Sequence, residues 1–204
     1  LLVTLIKNEN SWVKAAAISS LGMTKDSAYQ DLYISCFNDT SDRVISAAAI
    51  AIGKTKSQQA WEALLRLKER PSWKNQSLMH CLAGLGQLGN PEAEKIALAA
   101  LQDVQSPRWF LGNGWDYPFV AVQTLSQLGR TEKAYAILHE LFQLAMKEGL
   151  KEDIFYQVLL IATLGDSKGI EIFEPLKKRF SQDANAMQAI NAYEAQLRPA
   201  PADK

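Results

Sequence analysis

Apolar residues recur along this chain with the 3.6-residue period of amphipathic helices. In one segment, Ala134, Ile137, Leu138, Leu141 and Ala145 fall at i, i+3, i+4, i+7 and i+11, which places them on one helix face. No segment shows the strict alternation of a half-buried strand, and no hairpin dipeptides separate Val-, Ile- and Thr-rich runs. The pattern therefore predicts an all-α protein with essentially no sheet.

Five apolar-glycine pairs close helical runs at regular intervals: Leu21-Gly22, Ile52-Gly53, Leu88-Gly89, Leu128-Gly129 and Leu164-Gly165. Their spacings are 31, 36, 40 and 36 residues. A repeat of about 30 to 47 residues with two helical patterns per period is typical of an α-solenoid. We expect each glycine just past the end of a first helix, where its left-handed conformation lets the chain turn.

The repeat predicts one domain over residues 1–198, an α-α superhelix of about five helical hairpins. Residues 1–7 read as the second helix of a half unit, and a helix over about 185–197 is expected to cap the stack, followed by a disordered tail at 199–204. Pro175 is expected to kink the second helix of the fifth unit. Because the first segment lacks a partner helix and the chain starts at Leu1, we expect a fragment of a longer protein.

The charge balance argues against a nucleic-acid or anionic-lipid partner. Lys plus Arg number 22 and Asp plus Glu number 22, so there is no net charge. No apolar stretch reaches the ~18 residues that span a bilayer, and the first residues lack a basic region followed by an apolar segment. Any signal peptide is expected to lie outside this fragment. The two cysteines, Cys36 and Cys81, fall in apolar helical runs and are predicted to be buried small hydrophobes.

The residues that could carry catalysis are few. His80 and His139 are the only imidazoles and lie in different repeat units. No H-E-x-x-H, G-x-S-x-G or C-x-x-C motif is present. The sequence therefore predicts no catalytic, metal-binding or cofactor-binding residue in this chain, and both histidines are expected to be structural or on the surface.

The strongest candidate for a functional surface is an aromatic segment in the 40-residue interval. Its proposed partner or substrate contacts are Trp109, Phe110, Trp115, Asp116 and Tyr117. The alternative is that the segment folds back and buries its rings between the third and fourth units. Two further tryptophans, at matching first-helix starts two units apart, are predicted to be packing spacers; they are Trp12 and Trp73.

Two resemblances extend these predictions. Residues 39–44, followed by Ala47-Ala48 and Ile52-Gly53, resemble HEAT repeats, with an acidic residue, an Arg-Val pair, small residues and an apolar-Gly pair. Four other segments look like the C-terminal helical region of bacterial zinc metallopeptidases of the aminopeptidase N type; they are residues 60–64, 70–78, 115–117 and 158–164.

The second resemblance implies a larger, periplasmic or secreted aminopeptidase whose zinc-binding catalytic domain lies upstream. This non-catalytic superhelix would then shape substrate access or contact that domain. Two alternatives stay open. One is a free-standing scaffold that binds a protein or peptide, and the other is a HEAT-like DNA-repair enzyme using Trp115 and Asp116, which the zero net charge disfavours.

Overall fold

The computed structural model describes residues 1–102 and 117–197 of the chain. Within these ranges there are twelve α-helices and no strand, as the hydrophobic pattern predicts. The helices are α1 (Leu2–Leu5), α2 (Ser11–Gly22), α3 (Gln30–Ser35), α4 (Asp42–Lys54), α5 (Gln58–Lys68), α6 (Gln76–Leu88), α7 (Ala93–Gln102), α8 (Tyr117–Gln127), α9 (Glu132–Glu148), α10 (Lys151–Leu164), α11 (Phe173–Arg179) and α12 (Ala184–Leu197). Short 3₁₀ segments precede α3, α6 and α11, and another follows α3.

Alternate helices form two layers. We call α2, α4, α6, α8, α10 and α12 the A layer, and the other six helices the B layer. Each A helix packs against the next A helix, and α5, α7 and α9 each pack against the A helix that follows them. Neighbouring B helices touch only sparsely, so the A layer is the more closely packed of the two. Contacts therefore concentrate between neighbouring units, as in the predicted solenoid.

Three of the five predicted glycine turns are confirmed. Gly89, Gly129 and Gly165 have φ angles of 73°, 64° and 75°. Glycine enters this left-handed region without a side-chain clash. At each of these three positions the chain leaves an A helix and turns toward the following B-layer segment.

The other two glycines serve close packing, so the turn predicted for them is wrong. Gly22 and Gly53 lie inside the last turns of α2 and α4, and the left-handed residue after α4 is Lys56. A Cβ on Gly22 would lie 2.7 Å from the Ala51 Cβ, and one on Gly53 would collide with the carbonyl oxygen of Gly84. Small residues at these positions let the backbones of adjacent A helices approach each other.

The apolar core runs the length of the described chain as two clusters that meet at α6 and α7. Cys81 and Leu85 belong to the N-terminal cluster, Leu82 belongs to the C-terminal cluster, and Ile96 packs against both. The two cysteines, Cys36 and Cys81, are buried and unbonded, as predicted. Burial raises the pKa of the Cys81 thiol to about 12, so this thiol stays protonated and inert.

The half unit at the N-terminus and the capping helix match the prediction, with one difference near the C-terminus, and the predicted tail at 199–204 lies outside the described residues. Helix α1 packs against α2 in the place of a second helix, and α12 buries Ile190 and Leu197. Pro175, however, lies in the first turn of α11 after a 3₁₀ segment, and so does not kink the interior of a helix. A backbone N–H in a first turn has no intrahelical acceptor, so proline removes no helical hydrogen bond there.

Candidate binding groove

The outer surface of the A layer carries a groove that crosses α2, α4, α6 and α8. It consists of two adjoining hollows of about 620 and 140 Å³. Ser46, Ile50 and Met79 line both hollows, which makes them one continuous feature. We call this feature the A-face groove.

Side chains one helical turn apart build the groove. Ser46 and Ile50 on α4 are four residues apart, and so are Gln123 and Gln127 on α8. Side chains at i and i+4 lie on the same helix face, so each A helix contributes one stripe. These stripes are the feature that the sequence analysis missed. The i, i+4 spacing is visible in the sequence, but the same residue types at the same spacing also occur on ordinary solvated helix faces.

An exposed tryptophan forms the α2 end of the groove. Trp12 is 65% exposed, and the Cζ atom of Arg43 lies 3.3 Å from the centre of its ring. Trp73, before α6, is 74% exposed, with the Lys74 Nζ 4.4 Å from its ring centre. The prediction that these two tryptophans are packing spacers is therefore wrong. Large apolar rings on a surface are typical of contact sites for a partner.

The second hollow combines an apolar floor with neutral polar side chains. Ala83 and Val120 contribute apolar surface, and Gln87, Gln123 and Gln127 contribute amides. No Asp, Glu, Lys or Arg among the described residues lines this hollow. A primary amide both donates and accepts hydrogen bonds, as a peptide backbone does. The hollow is thus suited to a neutral polar chain more than to a charged small molecule.

His80 lies at the inner side of the second hollow and is 3% exposed. Its Nε2 lies 3.3 Å from the Asp42 Oδ1, and its buried Nδ1 has no hydrogen-bond partner among the described residues. Burial lowers the pKa of His80, an effect that the Asp42 carboxylate opposes. His139 is half-buried on α9 and stacks against Tyr135 and Phe142. His80 is thus a buried residue at the edge of the groove, and His139 packs against two aromatic rings.

The aromatic segment predicted from the sequence cannot be placed in this geometry. Trp109, Phe110, Trp115 and Asp116 lie outside the described residues. Tyr117 is the first residue of α8, but the structure does not describe its side chain. Both interpretations of this segment, as a partner contact and as a folded-back plug, stay predictions.

Residues 1–102 and 117–197 contain no cluster of three or more His, Cys, Asp or Glu side chains that could hold a metal ion. In the same ranges, every helix is too short or too polar to cross a bilayer.

Comparisons with known proteins agree with this architecture. The family model described as HEAT repeats matches residues 1–79. A solved chain from the complex of CpcE and CpcF of phycocyanin lyase from Nostoc sp. PCC7120 superposes with a TM-score of 0.54 at 15% identity. The match covers 95% of this chain and 74% of that one. The fold is a HEAT-like α-solenoid.

The resemblance to aminopeptidase N is not supported by these comparisons. No curated protein matches the chain. The HEAT-repeat match and the lyase match both concern the helical solenoid, and neither supports a relationship to aminopeptidase N. The comparisons therefore identify the fold of this chain, a HEAT-like solenoid, and nothing more specific.

Proposed function

We propose that this HEAT-like solenoid is a protein-binding scaffold, and that the A-face groove binds an extended segment of a partner protein. The observation that carries the proposal is the continuity of the groove across four A helices, with exposed Trp12 at one end. Burying such a ring against a partner removes a large apolar surface from water. The CpcE–CpcF complex is one example of a similar fold taking part in a protein assembly.

The dimensions of the groove fit a short stretch of extended chain. Packed helices are separated by about 8 to 10 Å, so the three intervals from α2 to α8 span about 24 to 30 Å. An extended strand rises about 3.3 Å per residue and would cross this distance with about seven to nine residues. Apolar side chains of the segment would face the Ala and Ile side chains of the floor, and its backbone would meet the glutamine amides.

A peptide selection tests this proposal directly. The probe is a library of random nine-residue peptides, each followed by a constant sequence so that no free carboxyl terminus is presented. We expect the wild-type protein to enrich a defined set of peptides, and Ile50→Glu to lose them because a charge enters the apolar floor. Leu144→Glu is the matched control, because Leu144 is 41% exposed on the B helix α9 and lies outside the groove.

Two results would count against a groove that binds peptides. One is enrichment of the same peptides by Ile50→Glu and by the wild type, and the other is an absence of enrichment by the wild type. Circular dichroism of the three proteins checks that the substitutions leave the helices intact.

The metallopeptidase parent is a second proposal from the sequence alone, and the comparisons give it no support. In that case the solenoid would contact an upstream zinc-binding domain, and this chain alone would be inactive. Sequencing the gene upstream of the codon for residue 1 tests this proposal. That class of enzyme requires an H-E-x-x-H helix there.

A further inference from the structure

We propose that Arg43, held flat against Trp12, binds an acidic side chain of the partner segment in the A-face groove. This inference rests on the proposed function and adds the chemistry that the partner must carry. One end of the groove then binds a carboxylate of the partner segment. The rest of the groove contacts small polar and apolar residues of the same segment.

The geometry of the pair leaves the hydrogen-bond donors of Arg43 available. Its Cζ lies 3.3 Å from the centre of the Trp12 ring, so the guanidinium covers the indole. A guanidinium carries five N–H donors around the edge of its plane, so stacking on a ring leaves them free to bind a carboxylate through two parallel hydrogen bonds. No carboxylate among the described residues forms an ion pair with Arg43.

The two carboxylates nearest to Arg43 in the sequence, those of Asp39 and Asp42, contact other side chains. The Asp42 Oδ1 lies 3.3 Å from the Nε2 of His80. The Asp39 Oδ2 accepts a hydrogen bond from the Lys14 Nζ at 2.7 Å, and this ion pair is largely shielded from solvent. Apart from the Trp12 ring, the guanidinium of Arg43 therefore has no ionic partner among the described residues. Its positive charge is complementary to that of an acidic group on a ligand.

Arg43 is also the one formally charged side chain among the described residues that line the two hollows. A segment carrying several charges would lose their hydration against Ala15, Ala47 and Ile50 without finding partners, which is unfavourable. A single acidic residue of the segment, placed at the Trp12 end, would pair with Arg43 and leave no other charge to be desolvated. The partner chemistry is thus one Asp or Glu followed by neutral residues.

The stacked arrangement explains why an arginine is suited to this position. The planar guanidinium matches both the indole face and the two oxygens of a carboxylate, whereas a lysine ammonium is a point charge on a flexible stem. Because Trp12 already restricts the side chain, less conformational entropy is lost when the ligand binds.

A side-chain carboxylate is favoured over the carboxyl terminus of a partner. Trp12 is 65% exposed and the hollow beside it is open to solvent, so nothing in the described structure blocks a chain that continues past it. A chain that ended at Arg43 with its terminal carboxylate would not need this open space beyond Trp12. We therefore commit to an internal Asp or Glu.

The same nine-residue library tests this inference with two arginine variants. With the wild type we expect Asp or Glu to be enriched at one position near an end of the selected peptides. Arg43→Glu is expected to replace this preference by Lys or Arg at the same position. Arg66→Glu, on the exposed face of the B helix α5, is the control for the change in net charge and should select the wild-type peptides.

Affinities of one selected peptide give the second readout. The peptide is synthesised with an acetylated amino terminus, an amidated carboxyl terminus and a fluorescein label, and its Kd is measured by fluorescence anisotropy. Hydrogen bonds to charged groups contribute about 1.5 to 3 kcal/mol, so Arg43→Ala should weaken binding by about tenfold to a hundredfold. Arg43→Lys should restore only part of that loss.

The outcomes separate this inference from the proposed function. If Ile50→Glu abolishes selection but Arg43→Glu keeps the acidic preference, the groove binds peptides and the role of Arg43 is refuted. If Ile50→Glu selects the same peptides, the proposed function itself fails. If peptides are enriched only from a second library with free carboxyl termini, the groove binds a terminal carboxylate, and the choice of an internal Asp or Glu is wrong.

Discussion

At the scale of single residues, the difference between sequence and structure is greatest at the tryptophans. Trp12 follows the N-cap residue Asn10, whose side chain accepts a hydrogen bond from the Trp12 backbone N–H at 2.9 Å. That part of the local structure was predictable from the Asn-Ser-Trp order. The direction of the ring was not, because an indole at a helix start can pack inward or lie across the surface. Stacking with Arg43, which is 31 residues away, is a property of the folded stack.

His80 gives a prediction about pH. Burial is the larger cause of its lowered pKa, and the Asp42 carboxylate opposes it. Because the folded-state pKa lies below the ordinary value of 6.5, the unfolded chain binds the proton more readily. The contribution of His80 to the free energy of unfolding is therefore fully present above about pH 6.5 and is lost as the pH falls below it.

Urea unfolding at pH 7.5 and pH 5.5 measures this effect. We expect the wild type to lose more stability between these two values than His80→Gln does, since glutamine does not titrate. His139→Gln, which retains His80, is the control for the loss of an imidazole. Equal losses in the wild type and in His80→Gln would show that His80 does not couple protonation to folding.

At the scale of helices, the sequence predicts where the elements lie better than how closely they pack. The helical period and the polar turns predict α9 and α12, and the apolar-glycine pairs mark the ends of α6, α8 and α10. A glycine near the end of a helix, however, has the same sequence signature whether it turns the chain or admits a neighbouring backbone. Only the structure separates Gly53, which faces Gly84, from Gly165, which has a φ of 75°.

Gly53→Ala tests the close contact between α4 and α6. A glycine in a helix is about 1 kcal/mol less favourable than alanine, so this change would stabilise a helix that had free space. Here the new Cβ meets the carbonyl oxygen of Gly84, which is part of a backbone and cannot move away by a rotamer change. We expect a loss of about 1 to 3 kcal/mol in the free energy of unfolding, measured with urea.

The sign of the change decides the outcome for Gly53. A gain in stability would mean that α4 and α6 separate easily and that the A layer is more loosely packed than described. Ser20→Ala is the control, because Ser20 is exposed on the A helix α2 and its substitution should change stability by less than about 0.5 kcal/mol.

At the scale of the whole molecule, the spacing of repeats was enough to predict a solenoid, but not to predict the groove. The 31- to 40-residue intervals imply stacked hairpins. The A-face groove draws Trp12, Ile50, Met79 and Gln127 from four different helices, so no local segment contains a signal for it. The aromatic segment drew attention in the sequence because its residues are adjacent, whereas surfaces assembled from several repeats are dispersed along the chain.

A solenoid also predicts that stability varies along the chain, because each unit is supported only by its neighbours. Helix α1 has four residues, none of them buried, and packs mainly against α2. Helix α4 has seven buried residues and lies between α2 and α6. Native-state hydrogen exchange should therefore give opening free energies near zero for α1 and near the global free energy of unfolding for α4 and α6. Uniform protection from α1 to α6 would instead indicate one cooperative bundle, in which support does not depend on position in the stack.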